Sequence, residues 1–241
     1  EANILDNRIN LHFNYFKGWT KNLVTLRQLA WTSGLAQSWS NDGKLENSGY
    51  EAGINIKALN LKNLTWEVGA TAGHYTNKIT ALPDNDASFE TKAYGATILS
   101  QVGQPVGVFY GYTTNGVFST DAEANAAGLR MRSDTGVETP FEAGDMIFND
   151  LNGDKIINEK DMSVIGDPNP DFYGRIFTTL SYRNLSLSAT VTYSMGGDIY
   201  NYQRMLLESG SRFMNQTLAM TNRWTADVQK TDIPKATYGD P

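Results

Sequence analysis

Five acidic and amide side chains between residues 148 and 161 are spaced like the ligands of a calcium loop. The stretch FNDLNGDKIINEKD carries side-chain oxygens at Asp150, Asn152, Asp154, Asn158 and Asp161. With Asp150 as position 1, these residues fall at positions 1, 3, 5, 9 and 12 of an EF-hand-like loop, and the Ile156 carbonyl falls at position 7. Hard oxygen ligands at that spacing favour Ca²⁺, so the segment 143–171 is a predicted structural calcium loop.

Two residues of this loop differ from the usual pattern. Lys155 stands where glycine normally permits the sharp turn, and the shorter Asp161 replaces the bidentate glutamate. The same composition also suits a turn in which Asp and Asn side chains accept hydrogen bonds from nearby backbone N–H groups. The sequence leaves both alternatives open, a bound ion and a loop closed by its own backbone.

A glycine-rich aromatic segment, GVFYGYTTNGVF, is the second candidate for ligand contact. It carries the rings of Phe109, Tyr110, Tyr112 and Phe118. Such rings stack on a sugar or a peptide, and they also pack a long loop against the rest of a domain. Packing is the commoner use, so the four residues are predicted as substrate-binding residues or as loop contacts.

No catalytic arrangement can be built from the sequence. There is no cysteine, which excludes disulfides, thiolate metal sites and a cysteine nucleophile. The two histidines, His12 and His74, lie on separate predicted strands without a carboxylate cluster, and no glycine-rich phosphate loop opens a helix. The chain is therefore predicted not to be an enzyme.

Charge and hydropathy limit the kinds of partner and membrane segment that the chain can have. The 20 Lys and Arg residues against 26 Asp and Glu leave a net charge of −6, without the clustered basic segment that nucleic acid requires. No run of about 18 apolar residues is present, which excludes a transmembrane helix. A transmembrane β-barrel remains compatible with the sequence, because its strands alternate and give a weak hydropathy signal.

Strict alternation of apolar and polar residues predicts antiparallel strands. LSLSATVTYS, residues 185–194, places on one face Leu185, Leu187, Val191 and Tyr193. FYGRIFTTLSY, residues 172–182, alternates in the same way, and the Arg183-Asn184 step between the two runs suits a tight hairpin turn. In a barrel, the apolar face of this hairpin would contact lipid and the serine and threonine face would line the lumen.

Three more strands follow from the same argument. GYEAGINIKAL (49–59) and LTWEVGATAGHY (64–75) form a hairpin around the turn LNLKN (59–63), and RINLHFNYF (8–16) is a fifth strand. Their length matches the roughly 9 to 11 residues with which a tilted strand crosses a bilayer. Their polar faces suit a water-filled lumen or the solvated side of a soluble sheet.

The connections are uneven in length. The excursion from about Thr76 to Asp171 far exceeds the roughly 12 to 15 residues usual for a loop in a compact domain. After Ser194, the apolar residues predict one or two short helices interrupted at Gly210. Short turns at one edge and long loops at the other indicate an all-β fold, an antiparallel segment of a large transmembrane β-barrel with long extracellular loops and short loop helices.

Several blocks resemble SusC/RagA-type TonB-dependent outer-membrane transporters. They are GQPVGVFYGYTTNGVF (103–118), AGDMIFNDLNGDKIINEKDMSVIGDPNPDFYGRI (143–176), and NRWT with IPKA beyond it. NRINLHFNYFKGWTKNLV (7–24) resembles a strand block of the same family. The likeness therefore covers most of the chain, and residues 1–241 are identified as part of one receptor β-barrel domain on its carboxyl side.

The resemblance implies a nutrient importer in the outer membrane of a Gram-negative cell. The family's barrels have about 22 strands and a plugged lumen. They import glycans or peptides, take energy from TonB and work with a SusD-like surface lipoprotein. No plug domain or TonB-contacting segment is recognisable here, so the expected partners are the remainder of the barrel and plug, outer-membrane lipid, the lipoprotein, and TonB through a plug-side segment.

A different class of protein is the alternative. The same strands could form a soluble secreted β-sandwich that binds carbohydrate and holds a structural calcium ion. Behaviour without detergent separates the two hypotheses, because an incomplete barrel has open strand edges that need partners in lipid.

Overall fold

Strands dominate the chain. The computed structural model describes residues 1–29, 31–35, 37–83, 88–133, 135–227 and 229–239. The strands are β1 (Ala2–Ile4), β2 (Ile9–Gln28), β3 (Gln37–Leu61), β4 (Leu64–Ala81), β5 (Ser88–Ala93), β6 (Ala96–Gln101), β7 (Val108–Tyr112), β8 (Thr114–Val117), β9 (Arg130–Arg132), β10 (Glu138–Pro140), β11 (Met146–Phe148), β12 (Ile156–Ile157), β13 (Met162–Gly166), β14 (Phe172–Tyr182) and β15 (Leu185–Met195). The α-helices are α1 (Asp121–Ala127) and α2 (Tyr202–Glu208), and 3-10 turns cover Trp31–Ser33, Glu159–Asp161 and Leu218–Asn222. Within the described ranges, no helix is long and apolar enough to cross a membrane.

The largest sheet has six strands in the order β1-β2-β3-β4-β14-β15, with every neighbouring pair antiparallel. Smaller sheets follow the orders β13-β7-β6-β5, β10-β9-β12 and β11-β8. The predicted antiparallel all-β fold is thereby confirmed, including the β14-β15 hairpin that turns at Arg183-Asn184.

The chain forms two compact units. The first comprises Glu1–Thr91, Ile98–Val108 and Gly166–Ile199 and contains the six-stranded sheet. The second comprises Lys92–Thr97, Phe109–Ile165 and Tyr200–Pro241 and contains the acidic loop. The long excursion predicted between Thr76 and Asp171 is thus largely structured, since it holds β5 to β13 and α1.

Several strand limits differ from the sequence prediction. The turn between β3 and β4 is the two-residue step Lys62-Asn63, because Leu59 and Leu61 continue to pair with β4 beyond an irregularity after Lys57. β2 and β3 run 20 and 25 residues, well past the predicted ends. The three-residue β1 was missed, since alternation over so short a segment gives no usable signal.

Opposite faces of the six-stranded sheet have different chemistry. The apolar face is defined by one rung of paired residues, Leu11, Ile54, Ala70, Ile176 and Val191. The polar face is defined by the next rung, His12, Gly53, Thr71, Arg175 and Thr192. The predicted alternation therefore continues in register across five strands, which is how a sheet keeps one face apolar.

Rings lie over glycines on neighbouring strands of this sheet. The directly paired residues are Phe16 with Gly49, His12 with Gly53, Phe177 with Gly69, Tyr173 with Gly73 and Tyr193 with Gly174. At Gly69, an added Cβ would stand 2.4 Å from Phe177 Cζ and 2.8 Å from the Ile54 carbonyl oxygen. Each ring occupies the space that a side chain on the partner strand would need, an arrangement that pins register.

Aromatic side chains mark both ends of the apolar face. The aromatic row consists of Tyr15, Tyr50, His74 and Phe172. Its ring centroids lie 5.4 Å apart for Tyr50 and His74, and 5.6 Å apart for His74 and Phe172. Toward the short turns lie Trp66, whose Nε1 donates to Thr178 Oγ1 at 2.9 Å, and Tyr182. Between these ends, β2, β3, β4, β14 and β15 place no charged residue on this face.

The second unit has its own core. Phe118, Ile157 and Ala124 are buried. α1 begins at Thr120, whose side chain accepts a hydrogen bond from the Glu123 N–H, and it ends at a left-handed Gly128. The two caps set the limits of α1, and the buried Ala124 places one face of the helix in the core.

Replacing Gly69 with alanine should destabilise the sheet by about 1–3 kcal/mol, because Phe177 cannot keep its position over a methyl group. Gly18→Ala is the matched control, since a Cβ at Gly18 meets nothing within 4 Å. Thermal unfolding followed by circular dichroism should show a lower midpoint for the Gly69 variant alone. Equal midpoints would show that the ring has free space to move.

Candidate functional site: the acidic loop and its aromatic surroundings

The first half of the acidic loop is a ladder of side-chain to backbone hydrogen bonds. Asp150 Oδ1 accepts from the Gly153 N–H at 2.7 Å, and Asp150 Oδ2 accepts from the Lys155 N–H at 2.8 Å. Asn152 accepts from the Asp154 N–H and Asp154 from the Ile156 N–H, both at 2.8 Å. These are Asx turns, in which a short polar side chain takes the place of a backbone acceptor.

The second half of the loop is tied to the first through Asp161. This carboxylate is fully buried, and its two oxygens accept from the Leu151 N–H at 3.0 Å and the Asn158 N–H at 2.9 Å. Asn158 Oδ1 in turn accepts from the Lys160 N–H at 2.9 Å. Asn158 and Asp161 thus form a capping box on the turn Glu159–Asp161, so the last residue of the loop is bonded to its beginning.

Lys155 adopts the conformation that glycine usually supplies at this position. Its φ is +63°, in the left-handed region, and its N–H points at Asp150. A residue with a Cβ loses about 1–2 kcal/mol in this conformation. The hydrogen bond to Asp150 and the bond from the Arg130 N–H to the Lys155 carbonyl at 3.0 Å offset that strain.

The loop oxygens aligned by the sequence are engaged by the loop itself. The Ile156 carbonyl accepts from Asn158 Nδ2 at 2.9 Å. Hydrogen bonds from the backbone N–H of Lys155 and Gly153 hold the pKa of Asp150 below its ordinary value against the opposing effect of desolvation. Across the described part of the chain, no three His, Cys, Asp or Glu side chains converge closely enough to hold a metal. The geometry matches the backbone-closed alternative, and calcium stays a prediction.

The four predicted aromatic residues have different environments. Phe118 is 1% exposed, and its ring centroid lies 6.1 Å from that of Phe141. Tyr112 meets Phe148 edge to face at 5.5 Å, and Phe148 lies 5.7 Å from Phe141. Phe118 and Tyr112 therefore make loop contacts within an aromatic core, and half-buried Tyr110 precedes Tyr112 by two residues.

Phe109 belongs to a second aromatic group that reaches the surface. Its ring centroid lies 6.4 Å from that of Tyr200, whose hydroxyl donates to the Tyr94 carbonyl at 3.0 Å. Tyr94 is 77% exposed, and its ring lies 5.4 Å from that of Tyr202. Sequence analysis missed Tyr94, Tyr200 and Tyr202, because more than 100 residues separate Tyr94 from the other two and no local pattern joins them.

Blocks that are far apart in the sequence meet in the second unit. The Lys235 N–H donates to the Gly144 carbonyl at 2.8 Å, and Trp224 Nε1 donates to the Ser119 carbonyl at 3.1 Å. Lys235 Nζ also lies 3.2 Å from Asp145 Oδ1. The sequence blocks AGDMIF, NRWT and IPKA therefore form one packed substructure.

The polar face of the six-stranded sheet carries charged and hydrogen-bonding side chains. The Tyr173 hydroxyl donates to Glu51 Oε1 at 2.8 Å, and the Arg175 guanidinium lies 5.4 Å from the Phe177 ring centroid. Lys57 stands opposite Glu67 in the register of β3 and β4. These groups provide a wettable surface with hydrogen-bonding capacity.

The chain is similar in sequence to part of longer TonB-dependent receptors. It is 35% identical over 238 residues to TonB-dependent receptor P3 of Formosa agariphila, a match that covers 96% of this chain and 23% of that protein. TonB-dependent receptor P26 of the same organism is 29% identical over 240 residues, again covering 23% of that protein. No protein-family model matches the chain. The chain thus spans about a quarter of the length of the curated relatives it matches.

Solved structures give the same picture for the fold. The RagAB peptide transporter matches with a TM-score of 0.74 at 19% identity, covering 98% of this chain and 25% of that one. The RagAB peptide importer in the open-open state matches with a TM-score of 0.71 at 20% identity. The resemblance to SusC/RagA-type TonB-dependent receptors and the fold of a barrel segment, both predicted from the sequence, are confirmed.

Replacing Asp161 with asparagine should destabilise the second unit by about 1–3 kcal/mol, because an amide NH₂ would face a backbone N–H in a buried position. The exposed neighbour Glu159, changed to glutamine, is the control. Hydrogen exchange measured by mass spectrometry should accelerate across residues 150–161 in the Asp161 variant alone. Unchanged protection would mean that Asp161 does not close the loop.

Proposed function

We propose that the chain forms part of the wall of a TonB-dependent outer-membrane transporter. Its sequence matches about a quarter of the length of TonB-dependent receptors, and its fold matches about a quarter of the length of RagAB. The observation that carries the proposal is the apolar face of the six-stranded sheet. Among its large side chains, Phe13 is 64% exposed, Ile176 57% and Val191 65%. A surface of this kind needs an apolar environment.

The height of the apolar face supports a membrane location. On β14 the face runs from Phe172 at the aromatic row to Tyr182 at the short turn. Those ten steps of about 3.4 Å, tilted by roughly 40°, cover about 26 Å along the membrane normal. This agrees with the apolar band of about 25 Å, flanked by aromatic residues, that outer-membrane barrels present to lipid.

The transported substrate in this proposal is a glycan or a peptide. RagAB, whose fold this chain matches in part, is a peptide transporter, which favours the peptide. The exposed rings of Tyr94 and Tyr202 offer a rigid contact surface for either substrate. A SusD-like lipoprotein as lid, and TonB acting through a plug, complete the proposed assembly.

The arginine variants Val191→Arg and Thr190→Arg test the membrane assignment. Val191 lies on the apolar face and Thr190 on the opposite one, near the middle of β15. Arginine at Val191 should cost about 2–4 kcal/mol in lipid, whereas arginine at Thr190 should be tolerated, because the lumen is wet. The measurement is the folded fraction in outer-membrane vesicles against denaturant concentration. Equal tolerance at both positions, or full solubility without detergent, would favour the soluble sandwich.

Calcium binding by the acidic loop is a separate part of the proposal. Its support is the ionised Asp150 at position 1 and the left-handed turn at Lys155. Lys155→Gly should tighten Ca²⁺ binding, because it removes turn strain and a nearby positive charge, and Asp150→Ala should abolish it. Calorimetric titration of the folded protein gives the affinities, with Glu159→Gln as the control. Absence of any heat of binding in the parent protein would leave the loop as a series of Asx turns.

A further inference from the structure

Three lysines extend the apolar face beyond the aromatic row. Strand alternation continues from Tyr15 to Lys17, from Tyr50 to Lys44, and from His74 to Lys78. In the register of the sheet, Lys17 pairs with Ser48, and Lys78 pairs with Glu46. The lysine group, defined as Lys17, Lys44 and Lys78, therefore lies on one face of three adjacent strands, and each of the three residues is exposed.

Glu46 is the carboxylate that contacts the lysine group. Glu46 Oε1 lies 2.7 Å from Lys17 Nζ, and Glu46 Oε2 accepts from Trp19 Nε1 at 3.0 Å. Lys17 Nζ also lies 5.3 Å from the Trp19 ring centroid. The lysine group and Glu46 together carry two positive charges in excess, in a chain whose net charge is −6.

We infer that the lysine group binds the anionic phosphate headgroup of a membrane lipid whose acyl chains lie on the apolar face. The inference rests on the proposed membrane location of the six-stranded sheet. Lysine is a compact point charge that suits a phosphate, and basic side chains at a membrane surface attract anionic lipids. Indole and phenol rings prefer the boundary between headgroups and chains; Tyr15 and Tyr50 lie on the apolar side of Lys17, and Trp19 lies in the same rung as Lys78.

The apolar face below the lysine group has room for an acyl chain. Small residues at Ala52, Ala70 and Ala72 create a depression of about 590 Å³. Its apolar lining residues include Leu11, Phe13, Ile54 and Ile176, and Glu1, His12 and Thr71 also line it. On β2, Phe13 and Lys17 are four residues apart, about 13 Å along the strand, so a headgroup at Lys17 would place its chains at the mouth of the depression. This continuity favours a lipid over a free phosphate ion.

The competing explanation is that the lysines only neutralise Glu46. Exposed ion pairs contribute roughly 0–1 kcal/mol to stability, so this role would leave little trace on lipid binding. The two explanations predict different results for Glu46→Gln, a rise in lipid retention for a headgroup site and no change for mere neutralisation. Removing the carboxylate frees Lys17 and eliminates a charge that repels a phosphate, so lipid retention should rise if the lysine group is a headgroup site.

Native mass spectrometry of the full-length transporter in detergent tests the inference. The protein is titrated with phosphatidylglycerol, with phosphatidylcholine, whose headgroup has no net charge, and with inorganic phosphate. The parent protein should retain phosphatidylglycerol in preference to both. Each lysine-to-glutamine change in the lysine group should weaken retention about fivefold, so that Lys17→Gln with Lys78→Gln loses about 25-fold.

Lys57→Gln is the matched control, because Lys57 is on β3 but on the polar face, opposite Glu67. Its retention of phosphatidylglycerol should equal that of the parent. Three results would each overturn the headgroup site. They are an equal loss of phosphatidylglycerol retention in Lys57→Gln and in the lysine-group variants, no preference of the parent for phosphatidylglycerol over phosphatidylcholine, and unchanged retention in Glu46→Gln. Inorganic phosphate binding as tightly as the lipid would overturn the role of the acyl chains. A protein that never enters micelles or bilayers would instead contradict the proposed membrane location.

Discussion

The register of the six-stranded sheet is the constraint on which the other features of the first unit depend. Side chains alternate with a period of two, so a slip of one residue between β2 and β3, or between β4 and β14, would exchange the apolar and polar faces. Rings paired with glycines oppose such a slip, because His12 and Phe177 occupy space that only Gly53 and Gly69 leave open. Hydrogen bonding sets the strands side by side, and packing of rings on glycines selects one register.

The two faces of this sheet then acquire separate roles. The apolar face carries no charged residue from the aromatic row to Tyr182. Beyond the aromatic row, the first charged residues are Lys17 and Glu46. The polar face carries charges across this span. Glu51 accepts a hydrogen bond from the Tyr173 hydroxyl, and the Arg175 guanidinium lies over the Phe177 ring. In the proposed barrel, such a charge on the apolar side would be costly in lipid, whereas a water-filled interior would solvate it.

The second unit follows a different principle, since its segments are held by side chains rather than by a long ladder. Asp161 is buried because both its oxygens are satisfied by backbone N–H groups, which removes the penalty of an unpaired buried carboxylate. Trp224 and Lys235 close on Gly144 from a distant part of the chain. The blocks that carry the family resemblance are therefore the ones that contact each other, and their spacing reflects that packing.

Local periodicity determined much of this protein. The alternation in residues 172–194 predicted β14, β15 and their turn, since strand direction and turn chemistry are local properties. The spacing of Asp150 to Asp161 predicted a tight oxygen-rich loop, yet it could not separate ion binding from Asx turns, because both use the same side chains at the same positions.

Tertiary structure alone decided which distant residues meet. The group of Tyr94 with Tyr202 and the lysine group arise from pairing between residues 31 to 108 positions apart, and no local pattern encodes such pairing. The burial of Phe118 also depends on Phe141, whose position is set by the chain between them. A sequence reports the face on which a side chain lies, whereas its neighbours across that face are chosen by the register and packing of the folded chain.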